Sequence, residues 1–370
     1  MTFSDYIDYL RGKRIGVIGF GVSNQPLVRV LLRNGCDVTV CDRRERAQLG
    51  AAGDEAAAQG AKFALGADYL EHLDFDVIFR TPGVLPIVPQ LRKAAQNGAI
   101  LTSEMEAFCN LCPCRILAIT GSDGKTTTST ITAELLRAQG YTVHLGGNIG
   151  TPLFDRIADI RPDDFAVLEL SSFQLHSMHC APDVAIITNI SPNHLDVHPD
   201  FEDYVSAKCS IYRGQRPDGV LVLNARDAHT PRFAAEAPGS VRYFSSIGPV
   251  ENGVYCSDGV IYRAHGGKAE KLIDVSDIRI PGAHNVENYM AAFAATDGLV
   301  GQAACVQVAR SFAGVPHRME RIRELNGITF INDSIASSPT RTIAGLHALP
   351  KPPVIILGGH DKHIPFDELG

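Results

Sequence analysis

The chain has 370 residues, more than a single hydrophobic core usually serves, so two or three domains are expected. Hydrophobic residues at 45% and charged residues at 20% give a globular balance, while a formal net charge of −7 excludes the basic field that nucleic-acid wrapping needs. Nine cysteines without framework spacing, no apolar leader in residues 1–14 and no apolar run of membrane-spanning length predict a soluble, cytoplasmic protein in a reducing compartment.

Short β-branched runs alternate with helical periodicity, the pattern of stacked α/β units with parallel sheets. The first region predicts a strand over 15–18, a helix over 26–33 and strands over 38–41 and 77–79, the last ending in the turn Thr81-Pro82-Gly83. The segment 109–114 reads as a linker, and its trio Cys109, Cys112 and Cys114 lacks a fourth thiol or histidine nearby to complete a zinc site. The second region predicts a strand over 115–120, a helix over 126–138 closed by Gly140, strands over 165–170 and 184–190, a hairpin over 253–264 centred on Asp258-Gly259, and a helix over 285–299. The third region predicts one βαβ unit: strand 328–331, helix 340–349, strand 354–357. One such unit is too little to bury both faces of a parallel sheet, so the chain is expected to stop short of a complete third domain at Gly370.

Two glycine loops point to phosphates. In Ile119-Thr120-Gly121-Ser122-Asp123-Gly124-Lys125-Thr126-Thr127 an apolar strand enters a glycine-bracketed loop and Lys-Thr opens a helix. Backbone N–H groups and a helix N-terminus suit phosphate oxygens there, with Lys125 reaching the outer phosphates and the Thr126 hydroxyl available to Mg²⁺. The spacing departs from the common phosphate-loop motif, which has glycine where this chain has Ile119. The earlier loop, Gly16-Val17-Ile18-Gly19-Phe20-Gly21-Val22-Ser23-Asn24, with Asp42 ending the next strand where it would bind a ribose and Arg43 and Arg44 just after it, resembles a dinucleotide fingerprint with Asn24 in place of the third glycine. It indicates a nucleotide diphosphate without saying which. Glu169, at a strand end, is a hard oxygen ligand or a solvated carboxylate. Lys208 lies on an apolar helix face with Tyr204, Val205, Ile211 and Tyr212, so it either snorkels or has a depressed pKa.

The shortened phosphate loop resembles that of the Mur ligase and folylpolyglutamate synthase superfamily, and further segments agree in order along essentially the whole chain. They are Gly146-Gly147-Asn148-Ile149-Gly150, Glu169-Leu170-Ser171-Ser172-Phe173-Gln174-Leu175, Asn189 with His194-Leu195-Asp196, Tyr204 to Lys208, Gly282-Ala283-His284-Asn285-Val286-Glu287-Asn288, Pro316-His317-Arg318-Met319-Glu320 and Asn332-Asp333-Ser334. The Ser-Ser-Phe-Gln-Leu and Gly-Asn-Ile-Gly strings are most similar to the D-glutamate-adding branch. The resemblance implies an α/β fold of three domains: a Rossmann-like unit for the UDP-linked substrate (1–110), a central ATPase-type unit (111–314) and a partial Rossmann-like unit for the amino acid (315–370). It implies an enzyme, an ATP-dependent ligase that joins D-glutamate to UDP-N-acetylmuramoyl-L-alanine through an acyl phosphate in peptidoglycan precursor synthesis, acting as a monomer with no nucleic-acid or membrane partner.

The same resemblance implies the site residues. ATP falls to Gly121, Ser122, Asp123, Gly124, Lys125, Thr126, Thr127, Asn285, Asn288, Arg318 and Asp333. The UDP substrate falls to Gly19, Gly21, Val22, Ser23, Asp42, Arg43, Arg44, Thr81, Pro82, Gly83, Asn148, Ser171 and Gln174, and the incoming glutamate to Lys362. Thr126, Glu169, His194 and a carbamoylated Lys208 are implied as ligands of two Mg²⁺ ions, with Lys125, His194 and Lys208 catalytic. One departure stands out: the family's lysine after Asn-Asp-Ser is Ile335 here, with Ser337, Ser338 or Arg341 as substitutes. Three other functions stay open on the sequence: a catalytically inactive nucleotide-binding module, suggested by Ile335 and the stop at Gly370, an NAD-dependent oxidoreductase, and another folate-type ligase.

Overall fold

In the computed structural model, residues 1–336, 339–359 and 366–369 are described. Five parallel strands, β1 (Arg14–Ile18), β2 (Asp37–Asp42), β3 (Lys62–Leu65), β4 (Val77–Arg80) and β5 (Ile100–Thr102), form a sheet in the order β3-β2-β1-β4-β5. Strand order reverses on either side of β1, so its carboxyl end opens a crevice at the first glycine loop, the usual ligand position of open α/β sheets.

The helix Glu104–Leu111 leads into a nine-stranded sheet of β6 (Arg115–Thr120), β7 (Val143–Gly147), β8 (Phe165–Glu169), β9 (Val184–Ile187), β10 (Val220–Asn224), β11 (Ser240–Ser245), β12 (Gly253–Ser257), β13 (Val260–His265) and β14 (Lys268–Asp274). Its order is β14-β13-β12-β11-β10-β9-β6-β8-β7, parallel from β7 to β12 and antiparallel beyond. β6 again lies at a reversal, between β8 and β9. Alternation along β6 divides the interior. Ile116 and Ala118 join one core, which runs without a break through Met105 and Phe108 to Val17, Val40 and Phe79 of the first sheet, while Leu117 and Ile119 face the helices Lys125–Ala138 and Ala283–Ala295. A smaller cluster around Ile18, Ile78 and Leu91 covers the other face of the first sheet. Burial on both faces explains the near-continuous apolar runs of these strands.

Several expectations are corrected. The segment 109–114 is no plain linker: Cys109 is buried in the helix Glu104–Leu111, and only the residues after it connect the sheets. Cys112 and Cys114 approach to 3.5 Å, but the cysteine trio does not converge into a metal-sized cluster among the described residues. Among the described residues the third region holds no βαβ unit. β15 (Glu320–Leu325) pairs antiparallel with β16 (Ile328–Asn332) through Asn326 and Gly327, both at positive φ (50° and 76°), and the helix Pro339–His347 follows. Asn-Gly between two strand runs is a strong hairpin signal, and it supplies β16 with a partner from its own sequence neighbourhood. Residues 354–357, expected as a strand, form none: Val354 and Ile356 are 97% and 95% exposed with no paired strand among the described residues.

Candidate active site

At the carboxyl end of β6 the chain turns through Gly121–124 into the helix Lys125–Ala138. Gly124 adopts φ 78°, and a Cβ there would run into the Asn288 carboxamide, so glycine is required on both counts. The loop is braced from β9 and the residues after it. Ser122 N–H donates to Asn189 O (2.9 Å), Asp123 N–H to Asn189 Oδ1 (2.9 Å), the Thr188 hydroxyl to Asp123 O (2.6 Å) and Ser191 N–H to Ser122 Oγ (2.8 Å). Ser122 Oγ also lies 2.9 Å from the Tyr204 hydroxyl on the helix Phe201–Arg213. These contacts leave the loop's backbone conformation little freedom, and they commit the N–H groups of Ser122 and Asp123 to Asn189.

Two lysines meet on one carbonyl. Lys125 Nζ donates to Gly121 O (2.8 Å) and Ser122 O (2.9 Å), and Lys208 Nζ donates to Gly121 O (2.8 Å). Lys208 is buried (2% exposed), with its Nζ 4.7 Å from the Tyr204 ring centre. Desolvation lowers the Lys125 ammonium to about 8 against the opposing field of Glu169, and burial, then the charge of Lys125, pushes Lys208 well below the ordinary lysine range. Of the two sequence alternatives for Lys208, the depressed amine is the one the packing produces.

Glu169 ends β8 and is 1% exposed. Asn148 Nδ2 donates to its Oε1 (2.9 Å), and Oε2 is buried without a hydrogen-bond partner. An unpartnered buried carboxylate oxygen is costly unless a cation meets it, so this residue fits a Mg²⁺ ligand. His194 adopts φ 54° in an exposed loop with its ring edge-on to Phe173 at 4.9 Å. Thr126 lies in the first turn of the helix, and Thr127 lines the crevice.

The crevice is a cavity of about 230 Å³ shared by three regions of the chain: Asp123, Gly124 and Thr127 from the loop, His284, Glu287 and Asn288 from the helix Ala283–Ala295, and Arg318, Asp333, Ile335 and Arg341 from the third region. Asn288 accepts from the Thr128 hydroxyl (3.2 Å) and donates to Asn285 Oδ1 (3.2 Å), while Asn285 donates to Pro281 O (2.6 Å). Burial, then the neighbouring Arg341, lowers Arg318, whose buried Nε has no partner. Asp333 is raised by burial and accepts from Met319 N–H (3.0 Å). Arg341 ion-pairs with Asp123 and donates to Ser122 O (3.1 Å), a cation that the sequence offered only as a conjectural substitute. Ser337, Ser338 and Lys362 lie outside the described residues.

Around the first glycine loop, Thr81 N–H donates to Ile18 O (2.8 Å), so the Thr81-Pro82-Gly83 turn abuts Gly19, while Val22 is exposed and Gly21 and Ser23 complete the rim. Asn24 replaces the third glycine of the fingerprint by donating to Ile18 O (3.2 Å) and Gly19 O (2.8 Å). Asp42, expected to hold a ribose, is committed elsewhere. Its two oxygens accept from Phe20 N–H (2.7 Å), Arg44 N–H (2.9 Å), Arg44 Nε (2.9 Å) and Arg44 Nη2 (2.8 Å), the full capacity of a carboxylate. Burial pushes Asp42 up, but Arg44 and the Phe20 amide outweigh it and hold it at about 2. Arg44 is tied down with it, and Arg43 is the exposed cation. Ser171 and Gln174 also engage each other, as the capping box of the helix Ser172–Leu175. Sequence reading missed Arg80, which is buried at the end of β4. It donates to Ser177 Oγ (2.8 Å) and Phe173 O (3.3 Å), fastening the first sheet to the segment behind His194.

Residues 119–296 match the Mur ligase middle domain. The chain is 47% identical over 368 residues to the UDP-N-acetylmuramoylalanine–D-glutamate ligase of Acetivibrio thermocellus, covering 99% of this chain and 79% of that one. It is 46% identical to the enzyme of the same name from Clostridium botulinum, covering 100% and 80%. Among solved structures it resembles UDP-N-acetylmuramate–alanine ligase from Thermotoga maritima (TM-score 0.53, 20% identity, 91% of this chain and 77% of that one). It also resembles a UDP-N-acetylmuramate:L-alanyl-γ-D-glutamyl-meso-diaminopimelate ligase from Neisseria meningitides (TM-score 0.55, 19% identity, 82% and 99%), likenesses that speak to the fold.

Proposed function

Because this chain belongs to the Mur ligase family, among the UDP-N-acetylmuramoylalanine–D-glutamate ligases, we propose a division of its residues over the steps of that reaction. It is an ATP-dependent ligase that adds D-glutamate to UDP-N-acetylmuramoyl-L-alanine in peptidoglycan synthesis. The observation that supports the assignment best is the gathering of Lys125, Lys208, Glu169, Arg318 and Arg341 within electrostatic reach of one another around the loop at the carboxyl end of β6, with Arg318 and Arg341 lining the crevice.

Residues 1–110 hold the UDP-linked substrate at the first glycine loop, 111–314 hold ATP, and 315–370 bring the amino acid, with Lys362 among its contacts. The UDP diphosphate meets the amides of Gly21, Val22 and Ser23 over Gly19, whose own N–H is held by Cys41 O (2.8 Å), with Thr81, Pro82, Gly83 and Arg43 at its edge. Asp42 and Arg44 act through the loop they brace. Asn148 orients Glu169, and the Ser171–Gln174 cap shapes the wall toward the alanyl carboxylate.

ATP lies along Gly121, Ser122, Asp123, Gly124, Lys125, Thr126 and Thr127, with its adenine toward Asn285 and Asn288 and its outer phosphate toward Arg318. Asp333 takes the ribose end of the same cavity. A carboxylate resists attack by an amine until it has a leaving group. The alanyl carboxylate oxygen therefore attacks the γ-phosphorus, the bond to the β-phosphate oxygen breaks, and ADP leaves. The D-glutamate nitrogen then attacks the acyl carbon, phosphate departs with the C–O electron pair, and the amine loses a proton. Lys125, Arg318 and Arg341 stabilise the charge that builds on the transferring phosphoryl group.

Thr126, Glu169, His194 and carbamoylated Lys208 are the residues that would hold magnesium, two ions by the family pattern, and the metal would neutralise and align the phosphate oxygens. The buried Lys208 amine suits carbamoylation: its nitrogen bonds to CO₂ carbon, a proton leaves, and the remaining N–H keeps its bond to Gly121 O. An oxidoreductase has no use for this crevice. We take the enzyme to act as a cytoplasmic monomer; among the described residues no helix is long and apolar enough to cross a membrane.

The test is phosphate release from ATP with UDP-N-acetylmuramoyl-L-alanine, with and without D-glutamate. Release that depends on D-glutamate and yields the amide product is expected. Release that ignores D-glutamate, or depends on another amino acid, would overturn the assignment.

A further inference from the structure

Behind the His194 loop lies a group of side chains that the ligase reaction does not use. His176 follows the helix Ser172–Leu175, His198 lies four residues past His194, and Asp203 is in the first turn of Phe201–Arg213. One ligand-type atom from each falls within 4.8 Å of the other two. His198 Nδ1 is 2.6 Å from Asp203 Oδ2, and His176 Nε2 is 3.1 and 3.2 Å from the two Asp203 oxygens. The second nitrogen of His198 lies 3.0 Å from Ser172 Oγ, and its ring is buried, stacked on Phe173 at 5.4 Å.

We propose that His176, His198 and Asp203 form a binding site for a borderline divalent transition cation such as Zn²⁺, separate from the magnesium ligands at Glu169. Two imidazoles and one carboxylate are a donor set for zinc and its neighbours, and a poor one for Mg²⁺, which prefers oxygen and water. A tetrahedral ion with bonds of about 2.0–2.1 Å sets its ligand atoms about 3.3 Å apart; the His176–Asp203 contact at 3.1 Å is near that spacing, the His198–Asp203 contact at 2.6 Å has to open, and the two imidazole nitrogens lie within 4.8 Å. With the ion on Nδ1, the proton of His198 resides on Nε2 and is donated to Ser172 Oγ, the outer partner that fixes a ligating ring. The Asp203 side chain is 28% exposed, which leaves a path for water to complete the coordination. Binding through His176 Nε2 puts that ring's proton on Nδ1, which is buried without a hydrogen-bond partner. That unpartnered N–H lowers the affinity that the three ligands would otherwise give.

The site's position gives it a consequence. His198 N–H donates to His194 O (3.0 Å), Phe173 packs between the two rings, and Asp203 shares its helix with Lys208. A cation held by His198 and Asp203 ties the His194 loop to the helix that carries Lys208.

The experiment is a Co²⁺ titration of the 370-residue chain in excess Mg²⁺, read by visible d–d absorption and by thermal unfolding, with Zn²⁺ as competitor. One equivalent of low-symmetry Co²⁺ signal, displaced by Zn²⁺ and accompanied by a higher midpoint, is expected. His176→Gln and Asp203→Asn, each checked for native circular dichroism, are expected to weaken binding at least tenfold, and Cys112→Ser with Cys114→Ser to leave it unchanged. No d–d signal, suppression by Mg²⁺, a sulfur-to-cobalt charge-transfer band that vanishes in the cysteine variant, or binding indifferent to both ligand variants would each overturn the proposal.

Discussion

Asp42 and Lys208 are both buried ionisable groups, and they respond to burial in opposite ways because of what surrounds them. Asp42 receives four hydrogen bonds, three of them from Arg44 and two of those from its guanidinium, and stays ionised to about 2. A carboxyl held below its unfolded value contributes stability above pH 4 and loses it as pH falls from 3.8 toward 2. Asp42→Asn is therefore expected to cost about 1–2 kcal/mol at pH 7, with the deficit shrinking below pH 4, as denaturant unfolding at several pH values would measure. Lys208 has only a carbonyl, a threonine hydroxyl and a tyrosine face, with a second ammonium close by, so its neutral amine is favoured. With ¹³C-labelled CO₂ one carbamate carbon resonance is expected, absent from Lys208→Met, whose kcat falls at least about 100-fold. Retention of the resonance in that variant would place the carbamate elsewhere.

Among the elements, the third-region hairpin shows a local signal overriding a pattern-level one. The periodicity of 328–357 suggested strand, helix and strand in a parallel unit, yet Asn326-Gly327 commits 320–332 to antiparallel pairing. Gly327 at φ 76° is where a side chain is penalised, and Gly327→Ala is expected to destabilise the hairpin by about 1 kcal/mol. The effect should appear as faster amide exchange confined to 320–332; unchanged exchange there would show that the turn does not set the pairing. The phosphate loop shows the opposite case: strand, glycine and helix start agree locally, and the braces from Thr188, Asn189, Ser191 and Tyr204 merely hold what the local chemistry already favours.

Across the whole molecule, the crevice is assembled from segments remote in sequence. Arg341 reaches the phosphate loop from 218 residues away, and Arg80 reaches Ser177 from 97. Arg341, ion-paired with Asp123, brings a cation to the cavity that Ile335 also lines, and a guanidinium in that place suits a bidentate phosphate contact. Arg341→Met is expected to raise the KM for ATP roughly tenfold while leaving binding of the UDP-linked substrate unchanged, measurable by phosphate release and by calorimetry. An equal loss for both substrates would mean that the arginine supports the fold instead.

By itself the sequence determined what depends on neighbours along the chain. The β6–loop–helix phosphate site, the first glycine loop, the Asp258-Gly259 hairpin and the family strings around Glu169, His194 and Lys208 are set by backbone geometry and residue type within a few positions. What only the tertiary structure decided are the partners. Asp42 turned to Arg44 rather than outward, Ser171 to Gln174, Lys208 onto the carbonyl that Lys125 also holds, and His176 to Asp203 and His198. Those choices follow from which groups the sheets bring together and how much water remains to compete, and neither is written in local spacing.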